Sequence, residues 1–80
     1  MTTAAQSLGA ALRQLRVQRE LRLSDISAAS GLSAPYLSQI ERGQKLPTLD
    51  ALDRLATAYD VSVSSLLEGF PWVRSSGRRR

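Results

Sequence analysis

The 80-residue sequence predicts an all-α fold, a compact bundle of five short helices, and three observations carry that prediction. No stretch alternates apolar and polar residues with period two over the length of a strand. Leucine, isoleucine and alanine recur instead at three- and four-residue spacing in successive segments. Between those segments stand Gly31, Gly43, Pro47 and Gly69, together with Ser33, Thr48 and Ser62 at N-cap positions, so helix starts and stops alternate along the chain.

The first helix is expected over residues 5–19, with Leu8, Leu12 and Leu15 on its core stripe and Ala11 between them. The second is expected over 23–29, where Leu23, Ile26 and Ala29 share a helical spacing before Gly31 breaks the run. The third lies within SAPYLSQIERG, residues 33–43. Ser33 is placed to cap it, Pro35 falls in the first turn where its missing N–H costs nothing, and Gly43 can end it in a left-handed conformation. Leu37 and Ile40 point inward with Leu32 just before them, while Pro35, Ser38, Gln39 and Arg42 fall on the other side. A helix buried all round would not carry Gln and Arg there, so that side is expected to be the surface at which a partner is read. After a loop over 43–47, Thr48 is expected to cap a fourth helix that turns Leu49, Leu52, Leu55, Ala56 and Tyr59 inward. Ser62 then caps a short fifth helix holding Val63, Leu66 and Leu67, and Gly69 stops it.

Composition narrows the chemistry. The length suits one small domain with a modest core. Absence of cysteine excludes disulfides and thiolate metal sites, and absence of histidine removes imidazole catalysis and the usual zinc ligands. The many serines therefore have no base to activate them; no catalytic residue, metal or cofactor is expected. The amino terminus MTTAAQSLGAAL lacks the basic start and long apolar stretch of a signal peptide, and no segment is long and apolar enough for a membrane span, so a cytoplasmic protein is expected. The net charge of +4 suits a polyanion. Arg13, Arg16, Arg19 and Arg22 load the first helix and its end, Arg42 and Lys45 follow the third, and Arg74, Arg78, Arg79 and Arg80 load the tail. Asp50, Asp53, Asp60 and Glu68 gather elsewhere, which predicts one basic and one acidic side. Residues 70–80, FPWVRSSGRRR, read as a basic and aromatic tail. Its Phe70, Trp72 and Val73 either fold back on helices one and five of the same chain or cover a partner subunit.

The two short helices meeting at Gly31 resemble the helix-turn-helix of the phage-repressor-like (XRE) family, whose usual run looks like LSQEELAERLGVSQSTISRIERG. That pattern is met by Leu21, Ile26, Gly31, Ser33, Leu37, Ile40, Glu41 and Gly43. LGAALRQLR is similar to the family's first helix, and LPTLDALDRLATAYDVSVSSLLEG to its fourth and fifth, so the resemblance covers residues 5–69. It implies a lambda-repressor-like helix-turn-helix domain and a sequence-specific transcriptional regulator, a repressor binding double-stranded DNA as a homodimer on a palindromic operator, with helix 34–42 in the major groove. Ala34, Pro35, Ser38 and Gln39 then face the bases. Of these only Gln39 has the paired donor and acceptor that grips adenine in two places, for about 1–3 kcal/mol of discrimination. Ala34 and Pro35 offer at most contact with a thymine methyl, which shifts specificity toward DNA shape and paired half-sites.

Phosphate contacts are implied for Ser33, Tyr36, Arg42, Gln44, Lys45 and Thr48, with Ser38 and the starts of helices two, three and four beside them. For Tyr36 the alternative is a ring lying over the turn. Two departures stand out: Leu23 replaces the glutamine many relatives use on a phosphate, and Arg22 replaces the usual Ser or Thr cap, so helix two starts uncapped or late at Ser24. The resemblance also implies a structural ion pair between Arg16 and Glu41, and dimerisation near the fifth helix through Leu66, Leu67, Phe70 and Trp72. Two further readings compete: an antitoxin or adaptor that grips a protein partner as well as DNA, and non-specific nucleic-acid binding by the arginine tail.

Overall fold

The computed structural model describes residues 2–67, which form five helices: α1 (Ala4–Gln18), α2 (Leu23–Ser30), α3 (Ala34–Glu41), α4 (Leu49–Ala58) and α5 (Val63–Leu67). Residues 68–80, and with them Phe70, Trp72 and the arginine tail, lie outside the described residues. No helix among the described residues is long and apolar enough to cross a membrane.

Each helix starts from a local device. Thr3 Oγ1 accepts from the Gln6 N–H at 3.1 Å while Gln6 Oε1 accepts from the Thr3 N–H at 2.9 Å, a reciprocal capping box that opens α1 one residue earlier than the apolar stripe suggests. At α2 the Arg22 side chain has no oxygen to offer, and Asp25 Oδ2 instead accepts from the Arg22 N–H at 2.8 Å, so the helix begins at Leu23 rather than late at Ser24. Ser33, Thr48 and Ser62 cap the remaining three, their hydroxyl oxygens accepting from the N–H groups of Tyr36, Ala51 and Ser65 at 3.2, 3.0 and 3.0 Å.

Three helix ends share one geometry. After α3, Gly43 has φ +76°, its N–H donates to Ile40 O at 3.0 Å, and the Gln44 N–H donates to Gln39 O at 2.9 Å. Glu20 after α1 and Asp60 after α4 make the same double closure with φ 57° in a residue that carries a Cβ.

The core is built from Leu8, Leu12, Ile26, Leu37, Ile40, Leu52, Leu55, Ala56, Tyr59 and Leu66. α1 packs on α3 and α5, and α2 packs on α3 and α4, so α3 is held from one side and open on the other. Gly9 permits the α1–α3 approach: a Cβ there would lie 2.7 Å from Glu41 O and closer still to Ile40 O. Two inward assignments and one dimer-contact assignment are corrected. Leu49 is 77 % exposed, because Thr48 caps the helix and leaves its first residue at the periphery while Ala51, Leu52, Leu55, Ala56 and Tyr59 form the buried stripe. Ala29 is exposed, and Ile26 and Ser30 are the buried pair of α2. Leu66, expected at a dimer contact, is buried within the subunit's own core, which leaves half-buried Leu67 as the described apolar surface at that end.

Candidate nucleic-acid interface

Burial of Leu37 (3 % exposed) and Ile40 (1 % exposed) fixes the roll of α3, at a gain of roughly 1.5–3 kcal/mol for each side chain removed from water. With those two turned inward, Pro35 is exposed and Ala34, Ser38 and Gln39 are half-buried along the outer side. The Gln39 amide has no hydrogen-bond partner among the described residues, so both its donor and its acceptor are available.

The connection between α2 and α3 is tied by two serines that the sequence reading passed over. Ser30 Oγ, buried, donates to Ile26 O at 2.6 Å and accepts from the Leu32 N–H at 3.1 Å. Ser27 Oγ donates to Leu32 O at 2.6 Å. With Gly31 at φ +78°, these bonds define the turn. The only signal in sequence was two serines three apart before a glycine, a pattern shared by many solvated helix ends. Arg54 braces the same turn from α4, its Nη1 donating to Ser30 O at 3.5 Å and its Nε pairing with Asp50 at 2.9 Å.

Tyr36 links the core to the start of α4. Its ring packs against the core, Lys45 Nζ stands 6.0 Å from the ring centroid, and its hydroxyl oxygen accepts from the Thr48 N–H at 3.4 Å. The phenol thus sits at the start of α4 and keeps its own O–H for a second partner. Thr48 likewise spends its N–H and one lone pair inside the protein and retains a hydroxyl hydrogen. Ser33, Arg42, Gln44, Lys45 and Thr48 are all exposed around the end of α3 and the loop after it. Arg42 folds its Nε back toward Ser38 O at 3.4 Å.

Arg16 and Glu41 form a bidentate pair, Nε to Oε2 at 2.8 Å and Nη2 to Oε1 at 3.0 Å, with side chains 15 % and 10 % exposed. Arg16 Nη1 also donates to Leu21 O at 2.9 Å. The Glu41 hydrogen bond raises the Arg16 pKa above its ordinary value against the opposing effect of burial. Arg19 donates to Tyr59 O and lies 5.8 Å from that ring. Two arginines expected on a basic first helix are therefore engaged internally, and Arg54 interrupts the acidic run on α4. Burial pushes the Tyr59 phenol up to about 12, with the Glu41 charge adding to it.

Comparison with known proteins meets this geometry. The family described as "Helix-turn-helix domain" matches residues 7–68. The HTH-type transcriptional regulator DdrOP3 of Deinococcus deserti is 52 % identical over 58 residues, 72 % of this chain and 45 % of that protein. The HTH-type transcriptional regulator SutR of Escherichia coli is 39 % identical over 67 residues, 84 % of this chain and 38 % of that protein. The chain thus spans less than half the length of either. Among solved structures, the restriction-modification controller protein C.AhdI of Aeromonas hydrophila superposes with a TM-score of 0.75 at 34 % identity, covering 78 % of this chain and 94 % of that one. The clp gene regulator ClgR of Corynebacterium glutamicum gives 0.77 at 33 %, covering 90 % and 73 %.

Proposed function

The chain belongs to the helix-turn-helix domain family, and from that membership and the surface of α3 we propose that it is a sequence-specific DNA-binding transcriptional regulator and not an enzyme. It acts as a repressor, two copies binding the half-sites of a palindromic operator with α3 of each in the major groove. One such helix spans only a few base pairs, so two half-sites about one helical turn apart are needed for useful specificity. The observation that carries the reading is the side of α3 left outward by Leu37 and Ile40, with the unpartnered Gln39 amide on it.

In this reading Gln39 grips a base edge, Ser38 makes a shorter polar contact, and Ala34 and Pro35 meet a thymine methyl or none. Ser33, Arg42, Gln44, Lys45 and the retained hydroxyl hydrogens of Tyr36 and Thr48 hold phosphates on either side, positioning the domain without specifying sequence. Half-buried Leu67 marks the end of α5 near which the second subunit packs, with Phe70 and Trp72 following it in sequence.

Selection from a random DNA pool tests the proposal. The expected result is an enriched inverted repeat, with Gln39→Ala losing preference at one base per half-site by about 1–3 kcal/mol. A pool that enriches nothing, or an enriched motif indifferent to Gln39→Ala, Ser38→Ala and Pro35→Ala together, would overturn it.

A further inference from the structure

Among the described residues, three large apolar side chains are left exposed, and two of them stand in one short segment: Leu46, 58 % exposed, in the loop after α3, and Leu49, 77 % exposed, on the first turn of α4. Single apolar residues on a surface are ordinary, but these two interrupt the run RGQKLPTLD, which is otherwise charged, polar or turn-forming. Neither belongs to the core or to the apolar groups packed against it.

Their neighbours identify what would cover them. Each leucine directly follows a residue that the proposed DNA contact sets on a phosphate: Leu46 follows Lys45, and Leu49 follows Thr48. Both of those residues converge on Tyr36, Lys45 Nζ standing 6.0 Å from its ring centroid and the Thr48 N–H donating to its hydroxyl oxygen at 3.4 Å. The phenol, the ammonium and the start of α4 therefore make one polar patch, with a leucine next in sequence to each of its two contributors from the loop. Consecutive Cα atoms lie about 3.8 Å apart, so a leucine beside a phosphate-bound residue has the adjoining stretch of the strand within side-chain reach. In a DNA strand every deoxyribose lies between two phosphates, and its C–H edge is the apolar part of an otherwise anionic backbone. The alternation of a cation or hydroxyl with leucine along residues 45–49 matches the alternation of phosphate with sugar along that strand.

We propose that Leu46 and Leu49 are further DNA-contact residues, their methyl groups packing on the deoxyribose edges next to the phosphates held by Lys45 and Thr48. The proposal rests on the reading of α3 as the helix in the major groove and extends it with an apolar contact outside that groove. Since every sugar presents the same C–H groups, the contact adds affinity without naming a base, and it favours flanking sequences whose backbone already follows the course of the loop.

The test uses the full chain and a duplex carrying the motif enriched from the random pool. Combining Leu46→Ser with Leu49→Ser is expected to weaken binding roughly tenfold, as the loss of part of two apolar burials implies. The slope of log affinity against log salt should stay unchanged, because no phosphate contact is given up, whereas Lys45→Ala should flatten it. Hydroxyl-radical cleavage attacks deoxyribose, so in the double variant it is expected to open at sugars flanking each half-site while protection within the half-site persists. Should Leu49→Ser destabilise α4, Leu46→Ser in the loop gives the same reading alone, with a loss of roughly threefold. A folded double variant that leaves the flanking sugars protected, whatever its affinity, would overturn this inference and leave α3 as the reader. A pool that enriches nothing would overturn both. A double variant whose sedimentation without DNA shows a changed state of association would seat the leucines between two copies of the chain and overturn the sugar contact likewise.

Discussion

Arg16 holds three parts of the domain at once, since it binds Glu41 at the end of α3 in two places, donates to Leu21 O in the α1–α2 turn, and accepts the Leu21 N–H on its own carbonyl at 3.1 Å. Breaking such a partly buried pair strands the remaining charge, which costs about 3–5 kcal/mol when burial is deep. Glu41→Ala is accordingly expected to lower the melting temperature by roughly 10–20 °C for a domain of this size, as calorimetry would show, whether or not DNA is present. An unchanged melting temperature would mean that the pair is ornamental. Tyr59 makes a pH-dependent claim. Its phenol is protonated in both states below pH 10; between 10 and about 12 the unfolded chain releases the proton and the folded chain retains it. Stability is therefore full well below pH 10, falls as pH rises through that window, and has lost about 2 kcal/mol at its top. Urea titrations of Tyr59→Phe at pH 9 to 12 are expected to lack this contribution to the alkaline decline.

At the scale of the element, the helix starts were legible because caps are local: Ser33, Thr48 and Ser62 each act on an N–H only a few residues downstream. The ends were legible only where glycine stood. Glu20 and Asp60 occupy the same left-handed position as Gly43 without advertising it. A Cβ in that conformation costs on the order of 1 kcal/mol. Glu20→Gly is thus expected to raise the urea midpoint by an amount worth roughly 0.5–1 kcal/mol, the gain being reduced by the greater freedom of glycine when unfolded. Asp60→Gly should gain less, since aspartate tolerates the left-handed region better than glutamate. A midpoint that falls in Glu20→Gly would show that the closure is not strained. The roll of α4 escaped the pattern because Leu49, Leu52 and Leu55 obey helical spacing equally well whether the first of them faces in or out.

On the scale of the whole molecule, the net charge of +4 pointed to a polyanion, while the distribution needed coordinates. Arg16 and Arg19 make contacts within the domain and Arg54 sits between Asp50 and the α2–α3 turn, while Arg42 and Lys45 are exposed after α3, Arg13 on α1 and Arg22 at the start of α2. Under the proposed function the arginines of the tail are expected to add affinity without adding sequence information. Removing residues 76–80 should weaken binding to every DNA alike and flatten the dependence of log affinity on log salt, yet leave the selected motif intact. Loss of the motif itself on that truncation would transfer the proposed recognition from α3 to the tail.

Five helices, their caps, the glycine between α2 and α3, and the outward polar side of α3 follow from local rules, because a cap or a three- and four-residue spacing is decided within one or two turns of chain. The close approach of α1 to α3 at Gly9, the serine-tied turn and the diversion of two arginines into internal bonds were set only by tertiary structure. Each of those joins residues of different elements, or depends on how one helix is rolled against another. Spacing along a single segment carries no information about that roll until the neighbouring helix is in place.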